Sequence, residues 1–211
     1  DCSKDDTPCI LDGLAKKFHK IRVIHLPKNL GHAGAIRIGY SKAKYDWMFH
    51  IDSDNQFDPE EYWRLDKFKG SYDFVLGYRK KRRDPFHRII LTRLLRIVNY
   101  LFFSMTIKDT NCPFRIMNTR ALKQLLPIIP KDSFAPSIMI IVLAKHLGYR
   151  IKDVDVTHLP RVTGKVSIIG WKLLKFSLRG LKDMFNFSLA VRRLPESAYK
   201  KASEIRKNAK P

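Results

Sequence analysis

Trp47-Met48-Phe49-His50-Ile51-Asp52-Ser53-Asp54-Asn55-Gln56-Phe57-Asp58-Pro59 is the stretch on which the reading of this chain turns. A short apolar run that stops abruptly at carboxylates predicts a buried strand over 47–51, delivering acidic groups to its C-terminal end. Open α/β sheets place their ligands there. Asp52 and Asp54, with the amide oxygen of Gln56, offer hard oxygen ligands suited to Mg²⁺ or Mn²⁺ already attached to a diphosphate. Taken alone, an Asp-x-Asp after a strand reads equally as an acidic turn, so the surroundings must decide.

Upstream, 21–26 has the composition of a strand and leads into Asn29-Leu30-Gly31-His32-Ala33-Gly34-Ala35-Ile36-Arg37-Ile38-Gly39. Small residues at 31, 33, 34 and 35 permit close backbone approach where a loop enters a helix. The first amides of that helix point at whatever anion sits there. Helices are predicted over 8–19, 32–44 and 59–68, the last opening at Pro59 with glutamates in its first turn. They alternate with strands at 21–26, 47–51 and 73–77, the pattern of a mainly parallel α/β sheet.

Further stretches follow in a telling order: Asp1-Cys2-Ser3-Lys4-Asp5-Asp6-Thr7, Phe74-Val75-Leu76-Gly77-Tyr78-Arg79, Asp109-Thr110-Asn111-Cys112-Pro113-Phe114-Arg115 and Arg161-Val162-Thr163-Gly164-Lys165-Val166-Ser167. With the 29–39 helix and the acidic turn, they resemble the inverting family 2 glycosyltransferases. The match is closest to the branch of dolichol-phosphate mannosyltransferases and bacterial polyprenyl-phosphate glycosyltransferases. The resemblance implies a GT-A-type, Rossmann-like, mainly parallel sheet flanked by helices. It divides the chain into a glycosyltransferase domain over 1–167, an amphipathic interfacial helix over 168–194 and a polar tail over 195–211. Cys2, Pro113 and Tyr78 depart from the family pattern and leave sugar and acceptor identity open. The family's first strand, with its nucleoside-binding turn, would precede Asp1, so the chain reads as lacking that strand and its helix.

The resemblance also implies roles. Asp54 would ligate the metal with help from Gln56, Asp52 would contact the ribose or orient the nucleotide, and Asp1 would reach the base. Lys28, Asn29 and Gly31 would lie at the ribose or phosphates, and Arg161 and Lys165 would close over the diphosphate. Divalent metal and cationic side chains together neutralise charge on the leaving group. A hydroxyl acceptor needs a general base, but 131–138 holds only Asp132 and no acidic pair. A polyprenyl phosphate is already ionised and needs cations instead; Arg79, Arg96 and Arg115 would form that clamp, with Arg93 replacing Arg96 in another helix register. Arg115 reads alternatively as a structural partner of Asp109, and Arg79 as surface charge. His50 reads as a satisfied core or rim histidine.

Charge points the same way. Against 20 acidic residues stand 41 Lys and Arg, a formal +21, which calls for anionic partners. Basic zones open at Arg79-Lys80-Lys81-Arg82-Arg83 and again at Arg161, although a basic run is also an ordinary solvated face. Over 168–190, Trp171, Leu174, Leu178, Leu181 and Phe185 recur at helical spacing, opposite Lys172, Lys175, Arg179 and Lys182. Such a helix lies in a membrane interface or packs on its own domain. The expected partners are a nucleotide-sugar donor, a lipid-phosphate acceptor and an anionic surface. The expected location is the cytoplasmic face of a membrane, peripheral or anchored by segments outside this chain. A glycan or glycolipid hydroxyl acceptor, with Asp132 or Asp109 as base, is the alternative within enzymes. A nucleic-acid-binding domain is the alternative outside them, but its basic stretch 79–83 lacks interleaved aromatics. Cys2, Cys9 and Cys112 form no metal-binding spacing and fit reduced thiols.

Overall fold

A computed structural model of the chain describes residues 1–80, 108–133, 135–160 and 171–208, with 171–178 described in the backbone alone. Four strands form its sheet: β1 (Trp47–His50), β2 (Phe74–Arg79), β3 (Arg115–Asn118) and β4 (Ile151–Val156), in the order β1-β3-β2-β4. β3 runs antiparallel to both neighbours, while β2 and β4 are parallel. Three strands therefore share a direction, yet the sheet is mixed, because β3 is inserted between β1 and β2. The helices are α1 (Thr7–Lys17), α2 (Gly31–Ser41), α3 (Tyr62–Asp66), α4 (Thr119–Leu125), α5 (Pro136–His146), α6 (Trp171–Arg192) and α7 (Glu196–Asn208).

Strand alternation splits the core in two. Phe74, Leu76 and Met117 face one side with Tyr40 of α2, α4, α5 and the buried positions of α6 and α7. Val75, Ile116 and Val156 face the other with Phe57, Leu65 of α3, Cys112 and Phe114. α5 is apolar nearly all round and buried from Pro136 through Ala144, as a helix enclosed by neighbours must be.

α3 is shorter than the helix expected over 59–68, which opens at Pro59. A short 3-10 turn from Pro59 leads into it, and the Asp58 side chain caps that turn by accepting from the Glu60 amide at 3.0 Å. The 21–26 segment forms no strand; a strand exists through its ladder, and no described strand lies alongside it. Ile21 and Ile24 stay exposed, as do Ile10 and Phe18 along and after α1, which buries nothing. Within the polar tail over 195–211, α7 docks on the domain: Ala202 is fully buried and Arg206 Nη1 donates to the Gly148 carbonyl at 2.6 Å.

Gly77 shows how tightly β2, β4 and the loop before β3 meet. Its amide donates to the Phe114 carbonyl at 2.7 Å. A Cβ there would lie 2.8 Å from that oxygen and 2.9 Å from Val156 Cγ2. Gly77→Ala should therefore lower the unfolding free energy by about 1–3 kcal/mol, as overpacked cores do. An unchanged denaturant midpoint would show that the strands separate at little cost.

Candidate active site

The acidic turn leaves the C-terminal end of β1, which is an edge strand of the described sheet. Asp54 Oδ1 accepts from the Gln56 amide at 3.2 Å, and Asn55 between them adopts a left-handed conformation with φ 60°. Gln56 is clamped to a distant segment: its carbonyl accepts from Leu159 N at 2.9 Å, and its Nε2 donates to Leu159 O at 3.2 Å. Phe57 is buried below, stacked on Phe114 with centroids 5.5 Å apart and lying against the buried His158 ring. A polar turn thus stands on an apolar anchor.

The helix-entry loop is bonded to the first residue. The Asp1 carboxylate accepts from Leu30 N at 2.7 Å, and its carbonyl accepts from Asn29 Nδ2 at 3.1 Å. Asn29 Oδ1 accepts from the Gly31 amide at 3.0 Å, and Gly31 has φ +71°, which a side chain would strain. Asp1, Asn29 and Gly31 therefore meet at the N-terminus of α2, with Lys28 exposed beside them. His32, in the first turn of that helix, lies near enough for its charge to act on Asp52.

Asp52 itself is held by His50, whose Nε2 is 3.3 Å from Oδ1. Burial alone would raise the Asp52 carboxyl. The His50 contact and the positive potential of His32 and Arg115 outweigh it and leave the group below the ordinary carboxylate value. Burial lowers the His50 value and so favours the neutral ring, against the Asp52 contact, which raises it.

The arginines behave differently from a phosphate clamp. Arg79, 8% exposed, donates from Nε to Asp109 Oδ2 at 2.7 Å and from Nη2 to Oδ1 at 3.1 Å. Arg115, 1% exposed, does not pair with Asp109; it donates to the carbonyls of Cys112, Ser137 and Thr110. Both lie beneath the site with their donors engaged in this conformation. Asp109, 4% exposed, is bound to Arg79, which removes it as a general base. Cys112 is a buried thiol, pushed up to about 11 by desolvation and by Asp109, and so is inert. Arg96, Arg161 and Lys165 lie outside the described residues.

The oxygens of Asp54 and Gln56 fit a hard divalent ion but do not complete a shell. Among the described residues no cluster of three or more His, Cys, Asp or Glu forms a metal cage. With Gln56 Nε2 turned to Leu159, the side-chain oxygen Oε1 is the atom left for a ligand. Such a sparse set suits an ion that arrives with phosphate oxygens of its own.

Comparison with known proteins agrees with this arrangement. Residues 1–126 match the family described as Glycosyl transferase family 2, and the chain belongs to that family. It is 27% identical over 160 residues to an undecaprenyl-phosphate 4-deoxy-4-formamido-L-arabinose transferase of Aeromonas hydrophila, covering 75% of this chain and 48% of that protein. It is 25% identical over 166 residues to a dolichyl-phosphate beta-glucosyltransferase of Trichomonas vaginalis, covering 70% and 48%. The chain thus spans about half the length of these relatives. Among solved structures it resembles the glucosyl-3-phosphoglycerate synthase of Mycobacterium tuberculosis, with TM-score 0.61 at 17% identity over 88% of this chain and 66% of that one. The likeness extends the assignment to the fold.

Sequence reasoning missed the Arg79–Asp109 pair and the Gln56–Leu159 clamp, which join residues far apart in the chain. It passed over His50 as an active partner of Asp52, although a period of two puts both on one side of the strand. The buried pair gives a direct test of the site's floor. Asp109→Ala should cost about 3–5 kcal/mol of stability, because it removes the buried carboxylate that Arg79 holds through Nε and Nη2. A loss below about 1 kcal/mol would be the behaviour of an exposed pair.

Proposed function

We propose that this chain carries the donor site of an inverting glycosyltransferase that moves a hexose from a UDP- or GDP-sugar to a membrane polyprenyl phosphate. The observation that carries the reading is that the acidic turn leaves β1 with Asp52 in electrostatic reach of His32, in the first turn of the helix whose entry loop holds Asp1, Asn29 and Gly31, in a chain whose relatives are named for polyprenyl-phosphate acceptors. Asp54 and Gln56 would hold Mg²⁺ or Mn²⁺, whose chemistry is to neutralise the diphosphate as it leaves. Asp52 would orient the ribose, Asp1 would reach the base, and Lys28 and Asn29 would meet ribose or phosphate. Arg161 and Lys165 would close on the diphosphate. The acceptor phosphate is ionised without help, so attack on the anomeric carbon opposite the leaving group requires no general base. Arg96 would contact that phosphate, while Arg79 and Arg115 act from below, fixing the loop and adding positive potential.

The acceptor keeps its tail in a bilayer, so the site must be held at headgroup height, on the cytoplasmic face in this reading. Among the described residues no helix is long and apolar enough to cross a membrane. α6 offers another means. Met184, Phe187 and Val191 are buried, whereas Phe185 is 47% and Leu189 39% exposed, with Arg179 and Lys182 exposed nearby. An apolar strip flanked by cations suits an anionic surface.

Two measurements check these assignments. Asp54→Ala in the full-length protein should abolish Mn²⁺-dependent binding of UDP- or GDP-sugars while keeping stability within about 1 kcal/mol of wild type, as a substitution away from the core does. Unchanged metal-dependent binding would refute the ligand role. Replacing Lys172, Lys175, Arg179 and Lys182 with Gln should weaken binding to phosphatidylserine vesicles, each cation contributing about 1 kcal/mol at such a surface. Undiminished vesicle binding would make α6 a purely structural helix.

A further inference from the structure

We infer that Tyr40 and His50 are positioning residues for donor binding, forming a directed hydrogen-bond chain, Tyr40 to His50 to Asp52, that fixes the orientation of the Asp52 carboxylate. The inference rests on the donor-site reading above and adds two residues to it.

Tyr40 lies in the last turn of α2 and is 2% exposed; its hydroxyl is 2.9 Å from His50 Nδ1, and the two rings meet edge-on at 81°. His50 closes β1 on the same face of the sheet, its side chain 12% exposed, with Nε2 3.3 Å from Asp52 Oδ1. That separation is at the long end for a hydrogen bond. A neutral imidazole has one donor and one acceptor nitrogen. The carboxylate of Asp52 can only accept, so the ring proton belongs on Nε2. Nδ1 must then accept, and the Tyr40 hydroxyl is the donor in place to supply it. The opposite tautomer would set a nitrogen lone pair against a carboxylate oxygen, so that His50 could bond Tyr40 but repel Asp52.

The chain runs from the buried core to the rim. The Asp52 side chain is 29% exposed. With Oδ1 anchored, Oδ2 is left to meet the donor, and His32 in the first turn of α2 lies within electrostatic reach of the carboxylate. A carboxylate held in one rotamer meets a ribose hydroxyl without first being ordered. The core alone does not require this arrangement, since an apolar residue would fill the His50 position with no buried polar atom to satisfy.

The test is a mutant cycle on the full-length protein, reading the dissociation constants of UDP-glucose and GDP-mannose with Mn²⁺. His50→Leu should weaken whichever donor the wild type binds by about tenfold or more, the scale of removing a hydrogen bond to a charged group. His50→Gln, whose amide can donate to Asp52 without help from Tyr40, should recover affinity to within about threefold of wild type. Tyr40→Phe should cost a few-fold in the wild-type background and almost nothing beside His50→Gln, a coupling that mere packing would not produce. Should His50→Leu fail to fold, the Tyr40→Phe and His50→Gln cycle still decides. Unchanged affinity in His50→Leu, or an equal Tyr40→Phe loss in both backgrounds, overturns the positioning role while leaving the donor site standing. A well-folded wild type that binds neither nucleotide sugar overturns the donor-site reading, and this inference with it.

Discussion

A guanidinium buried in a sheet cannot leave its donors idle, and Arg115 satisfies its own with main-chain carbonyls. Those of Thr110 and Cys112 belong to the loop before β3, and that of Ser137 to the start of α5. One side chain thereby fastens the loop, the sheet and a core helix to one another. Because β3 is the inserted antiparallel strand, Arg115 also stands opposite His50 in register. β1 is joined to the described sheet through β3 alone. The place of the acidic turn relative to the core therefore depends on a strand whose first residue must stay buried and bonded.

From that fixed point the two faces of the sheet take different parts. One carries the large apolar core and, at its edge, Tyr40, His50 and Asp52. The other seats Phe57 against Phe114 and so anchors the turn from beneath. Gln56 then links the turn to 157–159, where Thr157 also bonds Glu61 through its amide at 2.7 Å and its hydroxyl at 2.8 Å. The segment that leads toward Arg161 is thus tied to the proposed metal ligand by main-chain and side-chain bonds. Charge placement follows the same logic. Asp52 remains ionised although partly desolvated, because cationic groups and an imidazole outweigh its burial.

The legible parts of the fold were those written locally. The apolar run ending in Asp52, the Asp58-Pro59 helix start and the small residues opening α2 each need only a few neighbouring positions to be read. The direction of β3 does not follow from its four residues, since it is decided by pairing with Trp47–His50 far upstream. The 21–26 segment has strand composition but no strand beside it among the described residues. Arg79 and Arg115 end stretches that look like exposed phosphate contacts, yet their burial is set by Asp109 and by carbonyls that only the fold brings near. The last helix was hidden by its polar composition, although Ala198, Ala202 and Ile205 form a narrow apolar stripe at helical spacing.

The central claim is that the donor site proposed for this chain serves an acceptor already ionised, which needs no general base. It is tested most directly by giving the full-length protein, a UDP- or GDP-sugar and Mn²⁺ a choice of acceptors: undecaprenyl phosphate, the dephosphorylated undecaprenol, and a glycolipid with a free sugar hydroxyl. The account predicts transfer to the phosphate and none to either alcohol. Transfer to a hydroxyl with the phosphate left untouched would contradict it.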